Sequence, residues 1–437
     1  MSSCTACGGD LIYRLLRFDA VPVHQNLLYA TFEAARNCKT GTIDLCACEQ
    51  CGFVFNSEFD SGLLDYSEDY ENSQDKSGSF FSHMRSVADA LVVRHSLQGK
   101  RVLEIGCGKG GFLDLIVRAA NGVGKGFDPS YVNEYDEIPA LSFVKDFFPS
   151  RQAWWNPDQI ICRHVLEHIA QPREFVSMIR NAIPSGQLLV QSSTQGTVQS
   201  STQASMHSWT QGAMQSSPQE SMQSSTQAVG LSNRASVPAS TRPLYVYFEV
   251  PSFDWICENR AFWDIFYEHC NYFTVSSIST LLQRCGFAIE QIATVFAGQY
   301  LSVDVVPAPE GAAVDVAPPV LNYRTLASDF NSTMKGVRDQ IHASIGVGKK
   351  IAIWGAAAKG TTFLNQLNLT PDMVANVIDI NPRKHGNYIA GTGQLICAPE
   401  FLLENIVDEI YVMNPNYEYE IRQQLVSMSL FPKLIVI

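Results

Sequence analysis

Between residues 101 and 306 the apolar positions fall in short runs, each broken by a small-residue turn and often followed by a stretch with helical spacing. The run "RVLEI" at 101–105 reads as a strand and "GFLDLIVRAA" at 111–120 as the helix after its turn. Further strands are predicted before Asp128 in "VGKGFD", up to Asp146 in "SFVKDFF", from residue 158 in "DQIICR", and over 244–250 in "LYVYFEV". The stretch "TVSSISTLLQRCGF" predicts a helix with Thr or Ser at its N-cap and Gly286 at its C-terminal stop. Strands alternating with helices argue an α/β class. The same rhythm restarts near residue 320, where "KKIAIWGAAAKGTT" runs from a strand into a Gly-bounded turn. The Pro/Ala-rich segment "PAPEGAAVDVAPP", 307–319, has the composition of a linker between the two blocks. The predicted organisation is therefore a Cys-rich head at 1–57, an α/β block at 58–306, the linker, and a second α/β block at 320–437.

One tract breaks the pattern. From Ser192 the chain reads "SSTQGTVQ", "SSTQASMH", "SWTQGAMQ", "SSPQESMQ" and "SSTQAVGL", imperfect copies of one octapeptide. These units lack the apolar residues a stacked repeat would bury, so 187–243 is predicted to be a disordered insertion without catalytic residues. Loop closure costs rise only with the logarithm of length, so a folded block tolerates such an insertion.

A chain of 437 residues with 46% hydrophobic content has the size of about three domains and the means to bury their cores. Its N-terminus has no basic and apolar leader, and no apolar run approaches the ~18 residues that would span a bilayer, so a cytoplasmic protein without membrane association is expected. A net charge of −12 with no clustered basic face disfavours nucleic acid as a partner. An anionic ligand would have to be met by local cations.

Six of the twelve cysteines lie in the first 51 residues. Cys4-x-x-Cys7 and Cys48-x-x-Cys51 have the spacing of two thiolate pairs around a tetrahedral zinc ion, and the Gly after each pair lets the backbone turn tightly. Four thiolates close the coordination shell, which makes the expected role structural. Cys38 and Cys46 remain over, Cys46 as a competing ligand. The long gap between the pairs requires another element to fill it.

The turn after the first strand of the middle block reads Glu104-x-Gly106-x-Gly108-x-Gly110. Alternate glycines let a ligand lie against the main chain, and the leading acid suits a cationic sulfonium better than a pyrophosphate. Asp128, about twenty residues on, is placed to take ribose hydroxyls. Asp146 and Phe147 offer an acceptor and a ring for adenine, and "DQIICRHVLEHI" ends the fourth strand at Arg163 and His164. Taken in this order, the pieces resemble the class I S-adenosylmethionine (SAM) methyltransferases over residues 100–306. That resemblance implies a Rossmann-like seven-stranded sheet and SAM as cofactor, with Arg163 among its contacts.

After the fifth strand comes "DIFYEHCNYFT", 264–274, in which Glu268 and His269 stand among aromatic rings. A core histidine satisfied by backbone groups produces the same pattern. Its place on the reactive side of the sheet favours instead a base that takes a proton from a carbon beside a carbonyl. In that reading Glu268 orients the ring or holds a hydroxyl, and the phenols of Tyr267 and Tyr272 stabilise the enolate.

The whole chain resembles the sugar C-methyltransferases, which join a zinc head, a SAM domain and a Rossmann-like C-terminal domain. The resemblance rests on the cysteine pairs, "YENSQ" at 70–74, "FYEHCNYF" at 266–273, "WGAAAKGTTFLN" at 354–365, "VIDINPRKHGNYIAGT" at 377–392 and "YVMNPNYEYEI" at 411–421. It implies a nucleotide-activated keto-deoxysugar as substrate, Gln74 at the cofactor, and Tyr70, Asn72 and His164 at the substrate. The family commonly has Tyr-His-Glu-His in the catalytic loop, where this chain has Phe266-Tyr267-Glu268-His269. In the last block Gly355-x4-Gly360 departs from a dinucleotide fingerprint, so no second nucleotide cofactor is expected. Lys359, Arg383, Lys384 and His385 are cations available to a diphosphate. Two other readings keep the fold but change the function: a methyltransferase acting on RNA or another small molecule, and a non-enzymatic interaction protein.

Overall fold

The computed structural model describes residues 3–64, 76–148, 155–184, 244–309 and 323–437. Tyr70, Asn72, Gln74, the octapeptide tract at 187–243 and most of the linker lie outside the described residues. Those described all fall in one compact unit.

The gap between the cysteine pairs is filled by a long antiparallel pair, β1 (Ile12–Pro22) and β2 (Thr40–Cys48). Its register sets Ile12 against Cys48, so β1 leaves from just beyond Cys7 and β2 returns to Cys48. Antiparallel pairing thus closes a sequence gap that no compact ribbon would bridge. A tight turn leads to β3 (Val54–Asn56), paired with β2.

The middle block places β4 (Arg101–Ile105), β5 (Val123–Phe127), β6 (Leu141–Val144), β7 (Gln159–Arg163) and β8 (Tyr245–Pro251) in parallel. The short β9 (Asn271–Tyr272) does not join them but pairs with β3, completing a four-stranded sheet in the head. β10 (Phe287–Val295) and β11 (Tyr300–Pro307) finish the large sheet, with β11 antiparallel to both neighbours. The result is the seven-stranded mixed sheet that the resemblance implied, in the order β10-β11-β8-β7-β4-β5-β6.

Alternate residues of the central strands feed opposite faces. Val102 and Ile161 pack with helices Gly78–Arg94 and Gly111–Ala120, while Leu103, Ile105 and Ile160 pack with helices Pro172–Ala182 and Val275–Arg284. Burial on both faces explains why these strands read as near-continuous apolar runs. Helix Val275–Arg284 begins at Thr274, whose hydroxyl accepts from Ser277 N in a capping box, and the chain leaves it through Gly286 at φ +83°.

The last block is a parallel sheet of β12 (Ile351–Trp354), β13 (Asn376–Ile378), β14 (Leu395–Cys397), β15 (Glu409–Val412) and β16 (Lys433–Val436), in the order β14-β13-β12-β15-β16. One apolar core runs from Leu15, Val23 and Leu45 of the head through Phe262, Trp263 and Tyr267 to Ile353, Phe363 and Tyr411 of this block. Among the described residues no helix is long and apolar enough to cross a membrane.

Within that core Gly41 lies flat against a ring: a Cβ there would sit 2.4 Å from Tyr267 Cε2. We expect Gly41→Ala to destabilise the protein by about 1–3 kcal/mol through overpacking. Urea unfolding with an unchanged m-value is the check, and wild-type stability would show that Tyr267 yields freely.

Candidate active site

The turn after β4 is built from backbone that tolerates only small residues. Gly106 has φ +71°, and a Cβ on it would meet a Val165 methyl at 2.2 Å. Gly108 has φ +54° and nothing within 4 Å of where its Cβ would be, so its face stays open to a ligand. Asp128 braces this turn by accepting from Gly108 N at 2.8 Å, and holds its own loop through Ser130 N and Oγ. Glu104 is fully buried beneath the turn, and its Oε2 has no hydrogen-bond partner among the described residues. Burial pushes its carboxyl up to about 8, against the lowering pull of Arg163. An open glycine face above a buried acid with one oxygen left unpartnered fits a cationic cofactor, which Glu104, Gly106, Gly108, Gly110 and Asp128 would hold.

The adenine candidates are placed differently. Asp146 is exposed and accepts from Phe147 N, and Phe147 is 73% exposed at the rim. The ring that enters the core is its neighbour Phe148, edge-on to Phe127 with centroids 5.4 Å apart.

Arg163 and His164 converge on a carboxylate that the sequence reading did not single out. Glu249 of β8 is 0% exposed. It accepts from Arg163 Nη2 at 2.6 Å and Tyr247 OH at 2.7 Å, with His164 Nε2 at 3.0 Å and His83 Nε2 at 3.4 Å. Burial alone would raise its pKa, but Arg163, His164 and His83 hold it well below the usual carboxylate range. The Arg163 guanidinium also lies 4.1 Å from the Phe112 ring centroid. His164, at φ +53°, turns the chain out of β7, and its Nδ1 is 3.4 Å from Glu167. Burial would lower this imidazole, yet Glu167 and Glu249 hold it above its ordinary range. One signal for Glu249 was in the sequence: a single charge inside the apolar run "YVYFEV".

The 264–273 loop is tied to the turn that leaves β7. Asn271 Nδ2 donates to Leu166 O at 2.8 Å and to Ile169 O at 2.6 Å, and His168 Nδ1 lies 2.8 Å from Glu268 O. These links set the His269 ring 4.9 Å from that of His168, edge to face, and 4.0 Å from that of Phe266. Burial, then the His168, His164 and Lys359 charges, hold His269 well below the ordinary imidazole value, which keeps its ring neutral.

The neighbours expected to support His269 face elsewhere. The Glu268 carboxylate is turned to the head, where Oε2 accepts from Gln25 N at 3.0 Å. Tyr267 OH accepts from Asp60 N at 2.9 Å, and Tyr272 OH donates to Phe266 O at 3.2 Å. Both phenols are therefore engaged by the backbone, and burial pushes both up. The groups beside His269 are instead His168 and Glu167.

In the head, Cys4, Cys7, Cys48 and Cys51 bring their sulfurs within 4.8 Å of one another. Cys4–Cys51 and Cys7–Cys48 are 3.7 and 3.6 Å apart, close to the ~3.8 Å edge of a tetrahedron with ~2.3 Å metal–sulfur arms. Gly9 N points at Cys7 Sγ from 3.3 Å, the amide-to-sulfur contact that the tight turn permits. The donor set fits a tetrahedral ion such as zinc. Cys46 stands apart, with its sulfur 3.5 Å from Ser57 Oγ.

The cations of the last block do not share one cradle. Lys359 is paired with Asp264 and lies 5.4 Å from the Trp255 ring centroid. Lys384 is 4% exposed and donates to Ala356 O at 3.0 Å, so it serves the turn after β12 from inside. Arg383 is exposed, 3.7 Å from Glu134 across the block boundary, and His385 Nε2 is 2.7 Å from Asp379 O.

Residues 80–292 match the family described as a methyltransferase domain, and residues 317–431 match the C-methyltransferase C-terminal domain. The C-methyltransferase NovU of Streptomyces niveus is 23% identical, over 96% of this chain and 91% of its own. Among solved structures, 1,6-didemethyltoxoflavin-N1-methyltransferase of Burkholderia thailandensis is 12% identical over 53% of this chain and 82% of that one, with a TM-score of 0.32. Magnesium protoporphyrin IX methyltransferase of Synechocystis is 15% identical over 53% and 84%, with a TM-score of 0.30.

The position of Glu104 sets a pH signature. Its folded pKa of about 8 lies above the unfolded value, so its contribution to stability is full at acid pH and fades as pH rises toward 8. A cation bound beside it reverses the preference and expels the proton. At pH 7, SAM binding should therefore release up to about one proton, read as a calorimetric heat that varies with buffer ionisation enthalpy. In Glu104→Gln that variation should vanish; if it persists, the proton comes from another group.

Proposed function

As a chain in which a methyltransferase domain is followed by a C-methyltransferase C-terminal domain, this protein is a SAM-dependent C-methyltransferase, and we propose that it methylates a carbon beside a carbonyl on a nucleotide-activated keto-deoxysugar. The observation that carries this reading is the neutral His269 ring, held by Asn271 and His168 against the turn that leaves β7. Glu104, the glycine turn and Asp128 would hold SAM, with Arg163, Asp146 and Phe147 as further candidate contacts. SAM supplies the methyl group as an electrophile on a positively charged sulfur.

His269 takes the proton from the substrate carbon, and the electron pair of the broken C–H bond passes into the enolate. The enolate carbon is left as the nucleophile for the methyl group that bound SAM would supply, and the imidazolium returns its proton to water. With Tyr267 and Tyr272 turned to the backbone, a cation is left to meet the enolate oxygen, and Lys359 is the lysine whose charge, after those of His168 and His164, bears on His269. Arg383, at the block boundary, faces the phosphates. His164 contacts the sugar from the end of β7.

Zinc in the four-cysteine cluster acts on this chemistry through the backbone. Cys48 and Cys51 flank the turn into β3, and β3 pairs with β9 immediately after His269. Asn56 N also donates to Cys270 O at 2.9 Å.

His269→Ala should abolish deuterium exchange at the acidic carbon in D2O and lower turnover by about 10²–10⁴-fold, with SAM affinity intact. A variant that still exchanges would move the base elsewhere. Chelating the head metal should reduce turnover well before SAM binding weakens; parallel loss of both would mean that the head supports the whole fold rather than the loop.

A further inference from the structure

The links that join the 264–273 loop to the turn after β7 also set His269 beside two donors, Glu167 and His168, that have no part in the methyl-transfer scheme. Glu167, His168 and His269 each offer one ligand atom, and the three atoms lie within 4.8 Å of one another. Two of these groups are under-satisfied. Glu167 is 1% exposed and its Oε2 has no hydrogen-bond partner among the described residues; the same holds for the buried Nδ1 of His269. A buried acceptor without a partner costs about 1–3 kcal/mol, more when charged, so this arrangement favours a ligand that accepts lone pairs.

His168 is already oriented for that task. Its Nδ1 faces Glu268 O at 2.8 Å and must carry the proton, which leaves Nε2 with the lone pair. An imidazole that donates from one nitrogen to a backbone carbonyl is oriented and made more basic at the other. Asn271, bonded to Leu166 O and Ile169 O, fixes the spacing between the two histidine-bearing segments through the backbone. Both histidines are partly exposed, so an ion has a way in.

We propose that Glu167, His168 and His269 form a second cation site, a set of two imidazoles and one carboxylate that takes a borderline divalent ion such as cobalt, nickel or zinc. Hard ions that prefer oxygen shells, magnesium and calcium, bind there poorly. The site is separate from the four-cysteine cluster, which offers only sulfur. Resting on the reading of His269 as the base, occupation commits that ring's lone pair to the ion and stops proton removal, so the ion is an inhibitor that competes with the chemistry.

The test is a titration of the full-length, zinc-loaded protein with Co2+. The expected result is one further equivalent bound, with the weak visible absorption of a nitrogen/oxygen site and without the intense near-ultraviolet band of cobalt thiolate. Glu167→Gln and His168→Gln should each weaken binding by about tenfold or more. SAM binding by calorimetry reports whether each variant is folded. Absence of a visible band at millimolar Co2+, a thiolate band alone, or affinity unchanged in both variants would overturn the site. The two readings separate cleanly. If Co2+ fails to bind while His269→Ala still abolishes exchange, the base stands and the cation site falls; if Co2+ binds and His269→Ala still exchanges, the site stands and the base falls.

Discussion

Two backbone pairings, Val54 with Tyr272 and Phe55 with Asn271, decide where the 264–273 loop stands. They make a piece of the middle block the last strand of the head's sheet, so the 264–273 loop, which leads into helix Val275–Arg284, is not free to settle by its own preferences. On its other side Asn271 reaches the turn after β7. The ring of His269 is therefore located from two directions, by backbone pairing with β3 on one side and by side-chain hydrogen bonds of Asn271 and His168 to main-chain carbonyls on the other. Support of this kind would suit the role proposed for His269, since a base has to meet its substrate atom to within a fraction of an ångström.

The electrostatics follow a similar logic. The chain is acidic overall, yet its buried carboxylates are not left alone: Glu249 gathers an arginine, two imidazoles and a phenol, and Glu268 accepts from a backbone amide. Breaking one partner of such a cluster is costlier than removing a surface pair, because the remaining charge stays buried. Glu104 differs because its desolvation has no matching hydrogen bond to Oε2 among the described residues. Its neighbour Arg163 is drawn instead to Glu249. The two acids are thus asymmetric, one satisfied within the fold and one with an oxygen left unpartnered, as the proposed cation-binding role of Glu104 requires.

Much of this was legible in the order of residues. The cysteine spacing, the glycine turn behind Glu104 and the strand–helix alternation report local geometry, and local geometry is what short patterns encode. Partners across space are not so encoded. Nothing in "FYEHCNYF" tells that the Tyr267 hydroxyl meets Asp60 N or that the Tyr272 hydroxyl meets Phe266 O, so both phenols read as available to a substrate. His168 looked like the exit of a strand until the loop folded against it. Lys384 read as a cation available to a diphosphate because sequence does not reveal that its ammonium turns inward to Ala356 O. Glu249 was within reach, since a lone charge in an apolar strand requires compensation, but which groups supply it only the fold shows.

The interior that runs from Leu15 through Phe262 to Phe363 bears on how such a protein can change over time. Head, loop and last block share this packed interior, and the last block adds a smaller core of its own around Trp354, Ile378 and Ile410 on the other face of its sheet. Exchanging the final block for that of a relative, as one might do to alter what is recognised, would bring in half of a jigsaw cut for another partner. Diversification in this architecture is then expected to proceed by paired substitutions along the shared seam, not by wholesale shuffling of modules.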